Sequence, residues 1–259
     1  MWYEYEKGKQ TYGQLAHKYG CSKKTIQRKL DLFNISLVSI KSREVIVLMD
    51  TTYWGRQFGV MLFKDAKTNE NLLKYFVKYE TNIVYIEGIN LLISRGFIIL
   101  AIVCDGRKGL LNSFKDIPVQ MCQFHQKAII KRYLTKKPKM KASQELLEVV
   151  DILTVTDKES FIGALGLWHE KWQSFLGERT TNPISKKTFY THKKLRSAYN
   201  SLKNNLDWMF TWYDNFEMGI PNTTNALEGH FSDLKNKLRN HNGLSLERKK
   251  KFIESFLKV

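Results

Sequence analysis

Three acidic residues stand where chemistry is most easily read. Asp50 closes the β-rich apolar run EVIVLMD, Asp105 closes FIILAIVCD, and Glu228 lies 123 residues further on. Acids at the C-terminal ends of neighbouring strands repel one another unless something compensates them. A divalent ion does so, and hard oxygen ligands select Mg²⁺ or Mn²⁺ over zinc or copper. Two such ions, about 3.5–4 Å apart, activate a nucleophile and stabilise a leaving oxygen in phosphoryl transfer. Each acid alone has a plainer reading: Asp105–Gly106 is a common turn dipeptide, and Asp50 suits a cap. The combination with basic charge and an N-terminal helical motif favours the chemistry. Cys122 and His125 add a Cys-x-x-His pair, half of a zinc site, but Cys21, Cys104 and the scattered histidines offer no spacing that completes it. No Gly-rich Walker motif and no supported Ser or Tyr nucleophile arrangement is present.

The elements that must position these acids follow from apolar patterning. Glu44–Asp50, Gln57–Phe63 and Leu72–Lys78 read as three strands, with the polar KDAKTNEN stretch as a turn. Thr81 to Ser94 has Ile83, Ile86, Ile89 and Leu92–Ile93 at helical spacing, closed by Gly96. Phe97–Asp105 is an almost continuous apolar strand, the pattern of one buried on both faces. A helix, a short strand at Val119–Phe124 and a basic helix from Gln126 to Leu134 complete the order. An antiparallel meander joined by crossovers to parallel strands fits it, so the expected class is α/β.

Forty-two Lys and Arg against 25 Asp and Glu leave a formal net charge of +17, which points to a polyanionic partner, foremost nucleic acid. Thr11 to Phe33 supplies a motif for it. Leu15, Ala16 and Tyr19 mark one helix, Gly20 a turn with positive φ, Ser22 an N-cap, and Ile26 and Leu30 the inner face of a second helix. That is a helix-turn-helix pattern, with Lys23, Lys24, Gln27, Arg28 and Lys29 outward for phosphates and base edges. Lys127 to Lys141 holds seven Lys or Arg and Lys186 to Lys203 six, neither with an acid, so Lys127, Lys131 and Arg132 join the candidate track for a DNA backbone. Three distant cysteines, no signal-peptide pattern and a longest apolar run of eight residues, Phe97–Cys104, against the ~18 needed to span a bilayer, lead us to expect a reduced, soluble, intracellular protein with no membrane partner.

Thr135 to Ile220 shows no convincing strand, and its tryptophans, Trp168 with Trp172 and Trp208 with Trp212, pair at i, i+4, a spacing more typical of core than of a ligand platform. PNTTNALEGHFSDLKNKLRNHNG then reads as one helix, capped by Thr223 or Thr224 and stopped at Asn242–Gly243. Leu227, Phe231, Leu234 and Leu238 form its buried stripe, with Glu228 beside it in the first turn; His230 reads as a surface histidine. The expected divisions are 1–40, helix-turn-helix; 41–134, first part of the catalytic core; 135–220, helical insertion; and 221–259, the helix carrying Glu228 with a tail.

VLMDTTYW, IVCDGRKGL, VQMCQFHQ and NTTNALEGHFSDLK, in that order, resemble the sequence blocks of DDE transposases of the Mutator-like superfamily, the type found in bacterial insertion sequences. The resemblance covers Glu44 to about Gly243. It implies an RNase H-like core, a mixed sheet of about five strands with flanking helices, interrupted by an all-α insertion and preceded by the helix-turn-helix. It implies that Asp50, Asp105 and Glu228 bind two Mg²⁺ or Mn²⁺ ions, that water hydrolyses a phosphodiester at a transposon end, and that the freed 3′-OH attacks target DNA. The implied partners are the terminal inverted repeats, target DNA and further copies of the chain, in a bacterial cytoplasm and associated with the nucleoid. His125 is placed beside the catalytic core, to hydrogen-bond DNA or a catalytic acid. Relatives often carry a cysteine-rich zinc ribbon upstream; only ten residues stand there here, the expectation for a fragment, a shortened copy or an internal start. Two other functions fit the same residues: a DNA-binding regulator that keeps the core as scaffold, and an RNase H-like nuclease or resolvase.

Overall fold

A computed structural model describes residues 1–36, 38–241 and 243–259. Its centre is a five-stranded mixed sheet in the order β3-β2-β1-β4-β5, formed by β1 (Glu44–Trp54), β2 (Phe58–Asp65), β3 (Asn71–Val77), β4 (Ile98–Cys104) and β5 (Val119–Met121). The first three strands are an antiparallel meander, and β4 and β5 extend it in parallel. The class and the strand count agree with the sequence reading.

Period-two alternation sends successive side chains of each strand into two different cores. Val45, Val47 and Met49 of β1 and Ile102 and Cys104 of β4 enter the first. There they meet α4 (Asn82–Ser94), α5 (Gln123–Leu134), α6 (Lys141–Ile152), α7 (Lys158–Gly177), α8 (Lys193–Asn204) and α9 (Leu206–Met209), with α10 (Thr211–Asp214) at the margin. Ile46 and Leu48 of β1 and Ala101 and Val103 of β4 enter the second, with α11 (Asn225–Arg239) and α12 (Leu246–Leu257). The N-terminal helices α1 (Trp2–Glu6), α2 (Tyr12–Lys18) and α3 (Lys23–Asp31) belong to this second core through Trp2, Leu15, Ile26 and Leu30. The Trp2 indole N–H bonds to Ser255 Oγ at 2.7 Å, and Arg248 grips both oxygens of Asp31 at 2.9 and 2.7 Å, fixing α1 and α3 to α12.

Several local expectations change. β1 continues four residues past Asp50, because Thr51 to Trp54 still pair with β2. The expected helix between β4 and β5 is only a 3₁₀ turn, Leu111–Ser113. β5 ends at Met121 and α5 starts at Gln123, which places His125 in the first turn of a helix. The stretch 135–220 is not all helical: β6 (Arg179–Thr181) and β7 (Thr188–Tyr190) form an exposed antiparallel hairpin, too short and too polar to show a strand period. Trp208 and Trp212 stand on two separate short helices, α9 and α10. The inner face of α4 is Tyr85, Gly88, Ile89 and Leu92, whereas Ile83 and Ile93 are exposed. The helix stop expected at Asn242 lies outside the described residues; Gly243 has φ +78°.

Gly88 explains the rotation of α4. A Cβ there would sit 2.1 Å from Cζ of the buried Phe63 ring, so a bare backbone lets the helix settle on β2. Gly88→Ala is expected to cost about 1–3 kcal/mol in a urea unfolding curve, since a ring fixed within the core must move.

Candidate functional site

Strand register brings Asp50 and Asp105 together. Leu48 of β1 pairs with Val103 of β4, the last pair of that parallel ladder, and Asp50 and Asp105 each stand two residues further on, near enough for the charge of Asp105 to act on Asp50. Asp50 continues the Ile46–Leu48 alternation, the sheet face that α11 covers, and Asp105 follows directly on the end of β4. The next residue, Thr51, faces the other way, and its hydroxyl bonds to Tyr85 at 2.8 Å. Each carboxylate has one oxygen held by a backbone N–H: Thr51 donates to Asp50 at 2.8 Å and Arg107 to Asp105 at 3.2 Å. No other hydrogen bond to either carboxylate occurs among the described residues. The turn role read for Asp105 is thus real, and it leaves the second oxygen uncommitted.

Burial pushes the Asp50 carboxyl up to about 7, against the lowering pull of His125 and the Thr51 N–H, and the negative charges of Asp105 and Glu80 push the same way. Glu80 is an acid the sequence reading passed over. It stands between β3 and Thr81, the N-cap of α4, and its carboxylate accepts from the Tyr85 hydroxyl at 2.6 Å, with Arg107 Nη1 at 3.5 Å. Burial and the charge of Asp105 hold it above the usual carboxylate range, against the Tyr85 hydroxyl, Arg107 and His125. An acid between a strand end and a helix cap is the same signal that marked Asp105; it was legible.

Glu228 arrives through the junction of α5 with α11. Gln123 N–H donates to Asn222 O at 2.9 Å. Cys122 Sγ accepts from both the N–H and the hydroxyl of Thr224, each at 3.3 Å. Thr224 is the N-cap of α11, as expected, but its hydroxyl serves Cys122 rather than its own helix. These bonds fix the first turn of α11, and Glu228 with it, next to the first turn of α5. His125 Nε2 lies 4.0 Å from Glu228 Oε1. Burial raises the Glu228 pKa, and the nearby His125 opposes this. Burial works to lower the His125 pKa, but contact with Cys122 and the charges of Asp50 and Glu228 outweigh it and push the imidazole up to about 9. His125 thus sits beside Cys122 and among acids that come from β1, α11 and the Glu80 loop.

Asp50, Asp105 and Glu228 do not converge on a single point. Among the described residues, the only Cys, His, Asp or Glu trio whose ligand atoms all lie within 4.8 Å of one another is Cys122, His125 and Glu228. Glu228 Oε1 and His125 Nδ1 are both buried without a hydrogen-bond partner. The donor chemistry of the three acids suits hard ions, and two ions need only a shared ligand, not three acids around one centre.

The basic residues divide. Lys23, Lys24, Arg28 and Lys29 are exposed on α3, while Gln27 is half-buried beside Ile26. Lys127 and Lys131 of α5 reach Asp151 at 3.8 and 3.4 Å, so both are partly neutralised, and Arg132 is exposed. His230 is not a surface residue: it packs on Phe256 at 4.9 Å and lies 3.3 Å from Asn71, and burial brings its pKa down to about 4. The expected core tryptophans hold, with Trp168 buried and Trp172, Trp208 and Trp212 packed against the first core. No helix among the described residues is long and apolar enough to cross a membrane. In comparisons with known proteins, no family model and no curated protein matches the chain.

Proposed function

We propose that the chain is a metal-dependent DNA transposase of the DDE type, with an RNase H-like core, a DNA-binding helix-turn-helix at α2–α3 and an inserted helical region between β5 and α11. One observation carries this reading: Asp50 on β1 and Asp105, the residue after the end of the adjacent parallel strand β4, are close enough for their charges to interact, and the helix that bears Glu228 packs in the core on β1's Ile46–Leu48 face. The strand order, a meander extended by two parallel strands, is compatible with the RNase H-like fold.

Asp50, Asp105 and Glu228 are the residues that would hold two Mg²⁺ or Mn²⁺ ions. Bound there, such ions supply an activated water and offset the charge that builds on a phosphoryl oxygen. The chain's own residues prepare that chemistry. Backbone N–H groups anchor one oxygen of each of Asp50 and Asp105 and leave the other without a hydrogen bond, and the Cys122–Thr224 junction ties the start of the helix that carries Glu228 to the start of α5. His125, whose imidazole is pushed toward its charged form by Cys122, Asp50 and Glu228, would offset the carboxylates and bond a phosphate oxygen of DNA. The exposed cations of α3 supply the sequence-independent part of DNA binding, which weakens steeply with salt.

The test is an assay on plasmid DNA carrying the sequences that flank this gene, with Mg²⁺ or Mn²⁺. Nicking followed by strand joining is the expected result. Hydrolysis without joining makes the chain an RNase H-like nuclease or resolvase, and salt-sensitive binding without cutting makes it a DNA-binding regulator; either outcome overturns the proposal.

A further inference from the structure

We propose that Cys122, His125 and Glu228 form a binding site for a thiophilic divalent ion of the Zn²⁺ or Co²⁺ class, a second mode of metal binding that shares Glu228 with the hard-ion site. Cys122 and His125 looked like an uncompleted half-site in the sequence. The fold supplies the missing partner from a helix 103 residues beyond His125, and it does so through bonds unrelated to any metal, those between Cys122 and Thr224 and between Gln123 and Asn222.

The geometry is close to that of a bound ion. All three ligand atoms lie within 4.8 Å of one another, and His125 Nε2 is 4.0 Å from Glu228 Oε1. Bonds of about 2.0–2.1 Å at a tetrahedral angle would set these two atoms about 3.3 Å apart, so closure requires a small side-chain movement and no change of backbone. Sulfur, nitrogen and oxygen on one centre favour zinc or cobalt over magnesium, which takes oxygen ligands only. The unpartnered, buried Glu228 Oε1 is the second observation, since nothing in the protein satisfies it. Cys122 is fully buried and Glu228 partly exposed, and the three side chains leave the fourth tetrahedral ligand to water. With Glu228 shared, an ion here removes one carboxylate from the hard-ion pair, and the two occupancies compete.

Co²⁺ added to the purified chain tests this without any assay of activity. The expected result is a near-ultraviolet thiolate-to-cobalt charge-transfer band with the visible bands of a tetrahedral ion, removed by Zn²⁺. Cys122→Ser should abolish the charge-transfer band, while Cys21→Ser and Asp50→Asn keep it. His125→Gln and Glu228→Gln should weaken Co²⁺ binding by at least the about 10- to 100-fold that losing an outer-shell partner costs. No band in the wild-type chain, a band that survives in Cys122→Ser, or unchanged Co²⁺ affinity in both His125→Gln and Glu228→Gln would overturn the proposal. None of these outcomes depends on DNA cleavage, so this site and the transposase reading stand or fall separately.

Discussion

Asp50→Asn is expected to abolish metal-dependent DNA cleavage and, at the same time, to make the metal-free protein more stable. Losing a carboxylate that would hold the ions would remove several kcal/mol of charge stabilisation, and about 4 kcal/mol corresponds to roughly a thousandfold in rate. The gain in stability follows from linkage. Asp50 titrates at about 7 in the folded chain against an ordinary 3.8, so between those values the folded state holds a proton that the unfolded state has released. Stability contributed at this position is therefore intact below pH 3.8 and is lost progressively as pH rises through about 7, by up to about 4 kcal/mol. Asparagine carries no such penalty, though it gives up the attraction to His125. Thermal melts of the metal-free proteins should show no advantage for the variant near pH 4 and an advantage of roughly 1–4 kcal/mol near pH 8. A variant that still cleaves, or one whose stability follows the wild type at every pH, would place Asp50 outside the site.

Phe210→Ala carries the next largest effect, on folding rather than chemistry. Phe210 is fully buried between α9 and α10, with its ring centroid 5.5 Å from that of Phe161 on α7. The carbonyl of its neighbour Met209 accepts from the side chains of Gln120 on β5, at 2.8 Å, and Gln123 on α5, at 2.9 Å. The helical stretch and the sheet thus share one core, and that shared core holds the strand-to-helix step that carries Cys122 and His125. Deleting the ring should cost about 3–5 kcal/mol, and because the core is continuous the loss should appear in a single cooperative transition. Two separate transitions, with the sheet unaffected, would show that the helices fold as an independent unit.

The central sheet could be read from sequence because its strands are long and apolar. Glu44–Asp50 and Phe97–Asp105 carry too many consecutive β-branched and aliphatic residues to be anything but buried strands, and the acids that end those runs stand out by contrast. The Thr11 to Phe33 motif was legible for a different reason: its punctuation is chemical. Gly20 has the positive φ its position required, and Ser22 accepts from the Thr25 N–H as an N-cap should.

What stayed hidden was set by long-range packing. Nothing local says that β1 runs on beyond Asp50; pairing with β2 decides it. The face that α4 presents was misjudged because Gly88, not an apolar side chain, marks the closest approach to the sheet. The alliance of Cys122 and His125 with Glu228 depends on two helix starts being bonded to each other across more than a hundred residues, and no window of sequence contains that information. Glu80 is the one real oversight, since its position ahead of a helix cap was visible all along.

Mn²⁺ titration followed by electron paramagnetic resonance, with duplex DNA present, decides whether Asp50, Asp105 and Glu228 serve one pair of hard cations. The wild-type chain should bind two Mn²⁺ ions, Asp50→Asn should lose both, and Asp105→Asn and Glu228→Gln should each lose one, while Cys122→Ser still binds two. Equal Mn²⁺ binding by the wild type and all three acid variants would contradict the account.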